Sequence, residues 1–173
     1  MENRHYELVV IGAGAGGLNA SFKAAELEKK VLLIEKFKPG GECTWAGCIP
    51  SKALIQIAEE IYTAKKYGHV EINSGEILNE VRRLTEKAHQ GEAVEALTGA
   101  GIEYMNGTAE FVDTHTIMVE GQEIKADHIV ISTGSSAFVP NINGLKEIDY
   151  LTNENVFKMK TFPKILLLLE PEL

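Results

Sequence analysis

Apolar residues fall in short unbroken runs near the start of the chain and in spaced stripes further on. Residues 6–11 (Tyr6 to Ile11) and 31–34 (Val31 to Ile34) are runs of strand length, the pattern of strands buried on both faces of a parallel sheet. An alanine-rich stretch with helical spacing lies between them and extends to about Lys30. From Ala53 to about Tyr67 the apolar residues Leu54, Ile57, Ala58 and Ile61 share one face of a helix. From Gly75 to about Thr98 the spacing predicts a second, more polar helix, with Glu80, Arg82, Arg83, Glu86 and Lys87 as its solvated face. Residues 102–111, 116–119 and 123–131 predict three strands, joined by turns at Asp113 to His115 and at Gly121-Gln122, which makes an antiparallel meander. Asn141, Asn143 and Gly144 mark a loop, and residues 165–169 predict one more strand. The expected fold class is therefore α/β, a parallel sheet with a small antiparallel β-meander.

The turn after the first strand carries Gly12, Gly14, Gly16 and Gly17, and the second strand ends in Glu35. Strand, glycine turn, helix, second strand and terminal acid, in that order, form a dinucleotide-binding fingerprint. Gly12 allows the tight turn, Gly14 lets the backbone approach a pyrophosphate, and Gly17 lets the helix pack closely on the strand. The helix N-terminus offers amide hydrogens to phosphate, and Glu35 is placed to accept hydrogen bonds from a ribose diol.

The only two cysteines, Cys43 and Cys48, lie five residues apart, with Gly41 and Gly47 beside them and Lys52 four residues further on. A loop this short removes little chain entropy when closed by a disulfide, so the spacing points to reactivity before stability. On a regular helix the two Cα atoms would stand roughly 8.7 Å apart, beyond the ~4.4–6.8 Å that a disulfide spans. The backbone between them must then be irregular if the pair is to close, which the glycines permit and Pro50 encourages. If helix resumes after Cys48, Lys52 lies on the same face, where its ammonium stabilises a thiolate or a reduced electron acceptor.

Composition narrows the partners. The chain has 173 residues, 45% hydrophobic and 24% charged, which suits one soluble domain. A net charge of −8 argues against nucleic acid and anionic membranes. No apolar run approaches the ~20 residues of a bilayer span. The start of the chain lacks the apolar segment of a secretory signal, so cytoplasm is the expected compartment, where a dithiol pair is more often catalytic than structural. The five histidines are scattered without ligand spacing, so no metal site is expected.

With these residues in view the chain resembles the FAD-dependent pyridine nucleotide–disulfide oxidoreductases, the family of dihydrolipoamide dehydrogenase, glutathione reductase and mercuric reductase. The resemblance implies a Rossmann-type parallel sheet that binds FAD. It assigns Gly12, Gly14, Gly17, Glu35, Lys36, Gly41, Thr133 and Gly134 to cofactor binding, the last two within Ile131 to Ser136, which resembles the segment returning the family's chain to its flavin sheet. It implies that Cys43 and Cys48 form the redox disulfide, with Cys43 exchanging with substrate, Cys48 making a charge-transfer contact with the flavin and Lys52 near its N5. Glu42 and Trp45 depart from the family pattern, and Glu42 is expected to oppose a neighbouring thiolate by like-charge repulsion.

The domain division that follows is residues 1–150 as the N-terminal part of the FAD-binding domain, and 151–173 as a linker and the first strand of a nicotinamide-binding domain that is otherwise absent. Electrons would pass from NAD(P)H through FAD and the Cys43–Cys48 disulfide to a small-molecule disulfide or other acceptor, and the chain by itself would be inactive. A second reading is a truncated, catalytically incomplete piece that keeps only its fold and weak nucleotide binding. A third is a dithiol exchange protein without flavin, against which stands the absence of a Cys-x-x-Cys motif. The apolar residues 165–169 add the expectation of self-association or folding back.

Overall fold

The computed structural model describes residues 4–169. Strand β1 (Arg4–Ile11) leads through the glycine turn into helix α1 (Ala15–Glu26), followed by β2 (Val31–Glu35), a short helix α2 (Gly41–Trp45) and the long helix α3 (Cys48–Ala64). Helices α4 (Ser74–His89) and α5 (Val94–Gly99) precede strands β3 (Ile102–Asn106), β4 (Ala109–Phe111), β5 (Thr116–Val119) and β6 (Gln122–Ile131). A single 3-10 turn at Leu145–Glu147 and a short helix α6 (Asn153–Val156) complete the described elements.

The six strands form one sheet in the order β3-β2-β1-β6-β5-β4. β3, β2, β1 and β6 run parallel, while β5 and β4 are antiparallel to their neighbours, so the parallel sheet and the meander are continuous. The alternation of side chains along each strand divides the interior in two. Val10, Val31 and Leu33 face a cluster that includes Leu18 of α1 and Leu97 of α5. Val9, Leu32 and Ile34 face the opposite way, into a cluster with Ile117, Val119 and Ile124 of the meander.

Two expectations are corrected. The strand expected over residues 102–111 is two strands on opposite edges of the sheet, separated only by Gly107 and Thr108. Edge strands joined by two residues force the sheet to curl until its edges approach, and the second apolar cluster fills the curl. Gly107 permits the approach, because a Cβ there would stand 2.8 Å from a Val119 methyl. The polar helix expected to run to about residue 98 ends at His89, and the chain turns through Gln90 and Gly91 with the Glu92 amide donating to the His89 carbonyl at 2.8 Å. Glycine is among the weakest helix formers, and here the helix gives way to a turn that brings Glu92 back toward α2.

The remaining differences are at the ends. Asn73 caps α4 by accepting from the Gly75 and Glu76 amides, one position earlier than the apolar stripe suggests. Residues 165–169 form no strand, and Ile165, Leu167 and Leu168 are at least 80% exposed. The final Glu170, Pro171, Glu172 and Leu173 lie outside the described residues.

Candidate functional site

Three segments meet at the carboxyl ends of the parallel strands, where ligands bind in open α/β sheets. The first is the glycine turn after β1. Gly12 has φ +101°, a conformation that costs a side-chain-bearing residue strain, and a Cβ there would strike the Ser132 carbonyl. A Cβ on Gly17 would overlap the Gly12 carbonyl, so both positions need glycine for close backbone approach. Gly14 caps α1 with no side-chain hydrogen bond, and the first bond of the helix runs from the Leu18 amide to the Gly14 carbonyl at 2.8 Å. The amides of the first turn are thus left for an anion.

The second segment is the end of β2. One carboxylate oxygen of Glu35 accepts from the Ala13 amide at 2.7 Å and the other from the Phe37 amide at 2.9 Å. The acid therefore locks the glycine turn to the loop beyond β2 and keeps lone pairs for a hydroxyl-bearing ligand. Lys36 is exposed, with its ammonium 4.7 Å from the Phe37 ring centroid. The Gly40 amide donates to the Ala13 carbonyl at 2.8 Å, and Gly41 packs on the turn so tightly that a Cβ would stand 2.6 Å from the Gly14 Cα. The third segment follows β6, where Ser132 hydrogen-bonds to the Ile11 carbonyl at 2.8 Å and Thr133 packs near Gly12. Thr133 and Gly134 are exposed at the rim, and Gly134 has φ +70°.

The cysteines begin directly beyond Gly41. Cys43 lies in α2 and Cys48 is the first residue of α3, with the helix interrupted at Ala46 and Gly47. The irregular backbone expected from the spacing is present, and Gly47 makes it possible: a Cβ there would meet the Glu42 carbonyl at 3.1 Å and the Cys43 Cα at 3.3 Å. Both cysteines are free thiols, Cys43 half-buried and Cys48 exposed. A hydrogen bond with Cys48, burial and the Cys48 charge push the Cys43 thiol up from its ordinary value, and Glu92 adds to the effect. Lys52 is exposed one turn along α3 from Cys48.

Sequence reasoning named Glu42 as the acid opposing a thiolate. Glu42 instead points outward and accepts a hydrogen bond from Asn153 of α6, and Glu92 is the acid that acts on Cys43. Ser132 and Thr44 were also missed. Ser132 lies within the segment Ile131 to Ser136 but was not singled out in it, and the hydrogen bond from Thr44 to Glu92 spans 48 residues, so that contact has no local signal.

The chain matches the family model described as "Pyridine nucleotide-disulphide oxidoreductase" over residues 6–168. It belongs to that family. Relatives include mercuric reductase of Lysinibacillus sphaericus, 30% identical over 92% of this chain and 31% of that enzyme. Dihydrolipoyl dehydrogenase of Acholeplasma laidlawii is 32% identical over 94% of this chain and 52% of its own length. Among solved structures, the HOCl-induced flavoprotein disulfide reductase RclA from Escherichia coli superimposes with a TM-score of 0.76 at 26% identity, covering 90% of this chain and 34% of that one. The chain spans about a third to a half of the length of these relatives. Its six-stranded α/β sheet is the fold of this family of flavoproteins. No helix among the described residues is long and apolar enough to cross a membrane, and no cluster of potential metal ligands occurs among them.

Proposed function

We propose that this chain is the FAD-binding N-terminal part of a flavin disulfide oxidoreductase in which electrons pass from NAD(P)H through FAD to the Cys43–Cys48 pair, and from there to a small-molecule disulfide or other acceptor. The observation that carries the reading is the contact of Gly41 with Gly14, which puts the cysteine-bearing helix α2 directly beside the glycine turn. A cofactor held by that turn would therefore have the dithiol as its neighbour. The residues fit the group: Gly12 and Gly17 allow the tight turn and close packing, Gly14 leaves room for a pyrophosphate, the first turn of α1 supplies amides, and Glu35 keeps acceptor capacity for a ribose. Lys36, Thr133 and Gly134 line the exposed rim of the same crevice.

FAD, when bound, supplies a two-electron relay. The chain's own part is thiol chemistry. The Cys43–Cys48 disulfide takes up two electrons and two protons to give two thiols, and the family pattern makes Cys43 the sulfur that attacks an incoming disulfide. Attack by the Cys43 thiolate releases one acceptor thiolate and leaves a mixed disulfide, and attack by the Cys48 thiolate on Cys43 releases the second and restores the internal bond. Lys52 lies on the same face of α3, one turn beyond Cys48.

A fluorescence titration with FAD, paired with mass spectrometry of the cysteines, tests the reading. Saturable binding that Gly14→Val weakens, together with loss of the mass of two hydrogens on mild oxidation, is the expected result. We expect the affinity to be weaker than nanomolar, since the chain spans only part of its relatives and hydrogen bonds from elsewhere are worth ~0.5–1.5 kcal/mol each. No binding at millimolar FAD, or two cysteines that never pair, would reject it.

A further inference from the structure

Helix α2 is only five residues long and touches the end of α4 and the turn that follows it. Thr44 is buried and its hydroxyl donates to one carboxylate oxygen of Glu92 at 2.8 Å. The same oxygen lies 2.8 Å from where a Gly40 Cβ would stand, so glycine at that position makes room for the carboxylate. The next residue, Trp45, donates its indole N–H to the Pro39 carbonyl at 2.7 Å. Its ring contacts the Lys38 ammonium, 3.6 Å from the centroid, and the tilted His89 ring, 4.7 Å away. His89 is buried, and its Nε2 has no hydrogen-bond partner, so it serves α2 as a packing surface.

We propose that Glu92 is a positioning residue for Cys43, clamping α2 through Thr44 to the turn that follows α4 and keeping a carboxylate against the residue next to the sulfur-bearing one. The proposal rests on the reading of Cys43 and Cys48 as a redox pair. The clamp holds the residue next to Cys43 in the chain, so the sulfur inherits its position from Glu92. The charge opposes ionisation of the Cys43 thiol, in the direction the structure gives. Other charged or titratable groups around α2 are Glu42 on α2 itself, Cys48 and Lys52 on α3, Glu86 and His89 on α4, and Lys38 on the preceding loop. Lys38 is taken up by Glu86 at 3.2 Å and by the Trp45 ring, and Glu42 by Asn153. Glu92 is left as the acid whose charge reaches the sulfur. A thiol kept protonated in this way resists stray alkylation and oxidation.

The test follows the rate of iodoacetamide alkylation across pH in a Cys48→Ser background, where Cys43 alone reports. Glu92→Gln keeps an oxygen to accept from Thr44 and removes the charge. Its midpoint should fall, with a several-fold faster rate below the midpoint and convergence above it, and the difference should shrink at ~1 M salt, where the screening length is about 3 Å. Thr44→Val keeps the charge and breaks the clamp, so it should raise the plateau rate at high pH by freeing α2. A Glu92→Gln profile that superimposes on its parent, or a Thr44→Val plateau that does not move, would overturn the proposal. The assay needs no flavin. Failure of FAD binding would leave these profiles intact, and flat profiles would leave FAD binding untouched.

Discussion

Tyr6 lies under the sheet at 1% exposure, with its hydroxyl donating to Glu103 at 2.7 Å. Burial first, and then the Glu103 carboxylate, push its pKa up to about 12. The unfolded chain ionises near pH 10 while the folded protein holds its proton, so the folded state binds more protons between those values and loses stability as pH rises through them. The loss should approach roughly 1.4 kcal/mol per pH unit in that window. Chemical denaturation from pH 8 to pH 12 should show this alkaline limb, and Tyr6→Phe should flatten it. The cysteines make a second residue-scale case. Cys48 is exposed at the start of a 17-residue helix, whereas Cys43 is half-buried with its thiol pushed up. In the flavin-free chain brief alkylation should therefore label Cys48 first, detected by peptide mass spectrometry. The family pattern by itself suggests Cys43. The order expected here follows exposure, since Cys48 is the more accessible sulfur.

At the scale of elements, the decisive feature is the break between α2 and α3. Continuous helix would hold the two sulfurs' backbones too far apart to bond, and the non-helical Ala46 and Gly47 remove that obstacle. Gly47→Ala places a methyl against the Glu42 carbonyl and the Cys43 Cα, at contacts of 3.1 and 3.3 Å that require α2 to give way. Slower disulfide formation than in the parent is expected, measured as loss of the mass of two hydrogens under a glutathione redox buffer. An unchanged rate would mean that α2 adjusts freely and that the break is not needed. The glycine fingerprint, the two flanking strands and the need for irregular backbone at the cysteines were all legible in the sequence. Each is a local signal, set by positive φ, close approach or an apolar run. The splitting of residues 102–111 was not legible, because an apolar strand pattern carries no information about which strand it will join.

For the whole molecule, the exposed apolar surface is concentrated late in the chain. Ile165, Leu167 and Leu168 are at least 80% exposed and Phe138 is 86% exposed. A run of exposed apolar side chains favours association, so we expect concentration-dependent self-association through residues 165–169. Light scattering should show a rise in mass that Leu167→Lys with Leu168→Lys abolishes, and a monomer at every concentration would count against it. The sequence by itself determined the fold class, the tight glycine turn after β1 and the irregular backbone between the two cysteines, since periodicity, glycine placement and cysteine spacing are written in neighbouring residues. Only the tertiary structure decided that Glu92 holds Thr44 beside Cys43 while Glu42 binds Asn153, that Ser132 backs the glycine turn and that the sheet curls on itself. Those contacts join segments tens of residues apart, and their partners are chosen by how helices and strands pack, which no local pattern specifies.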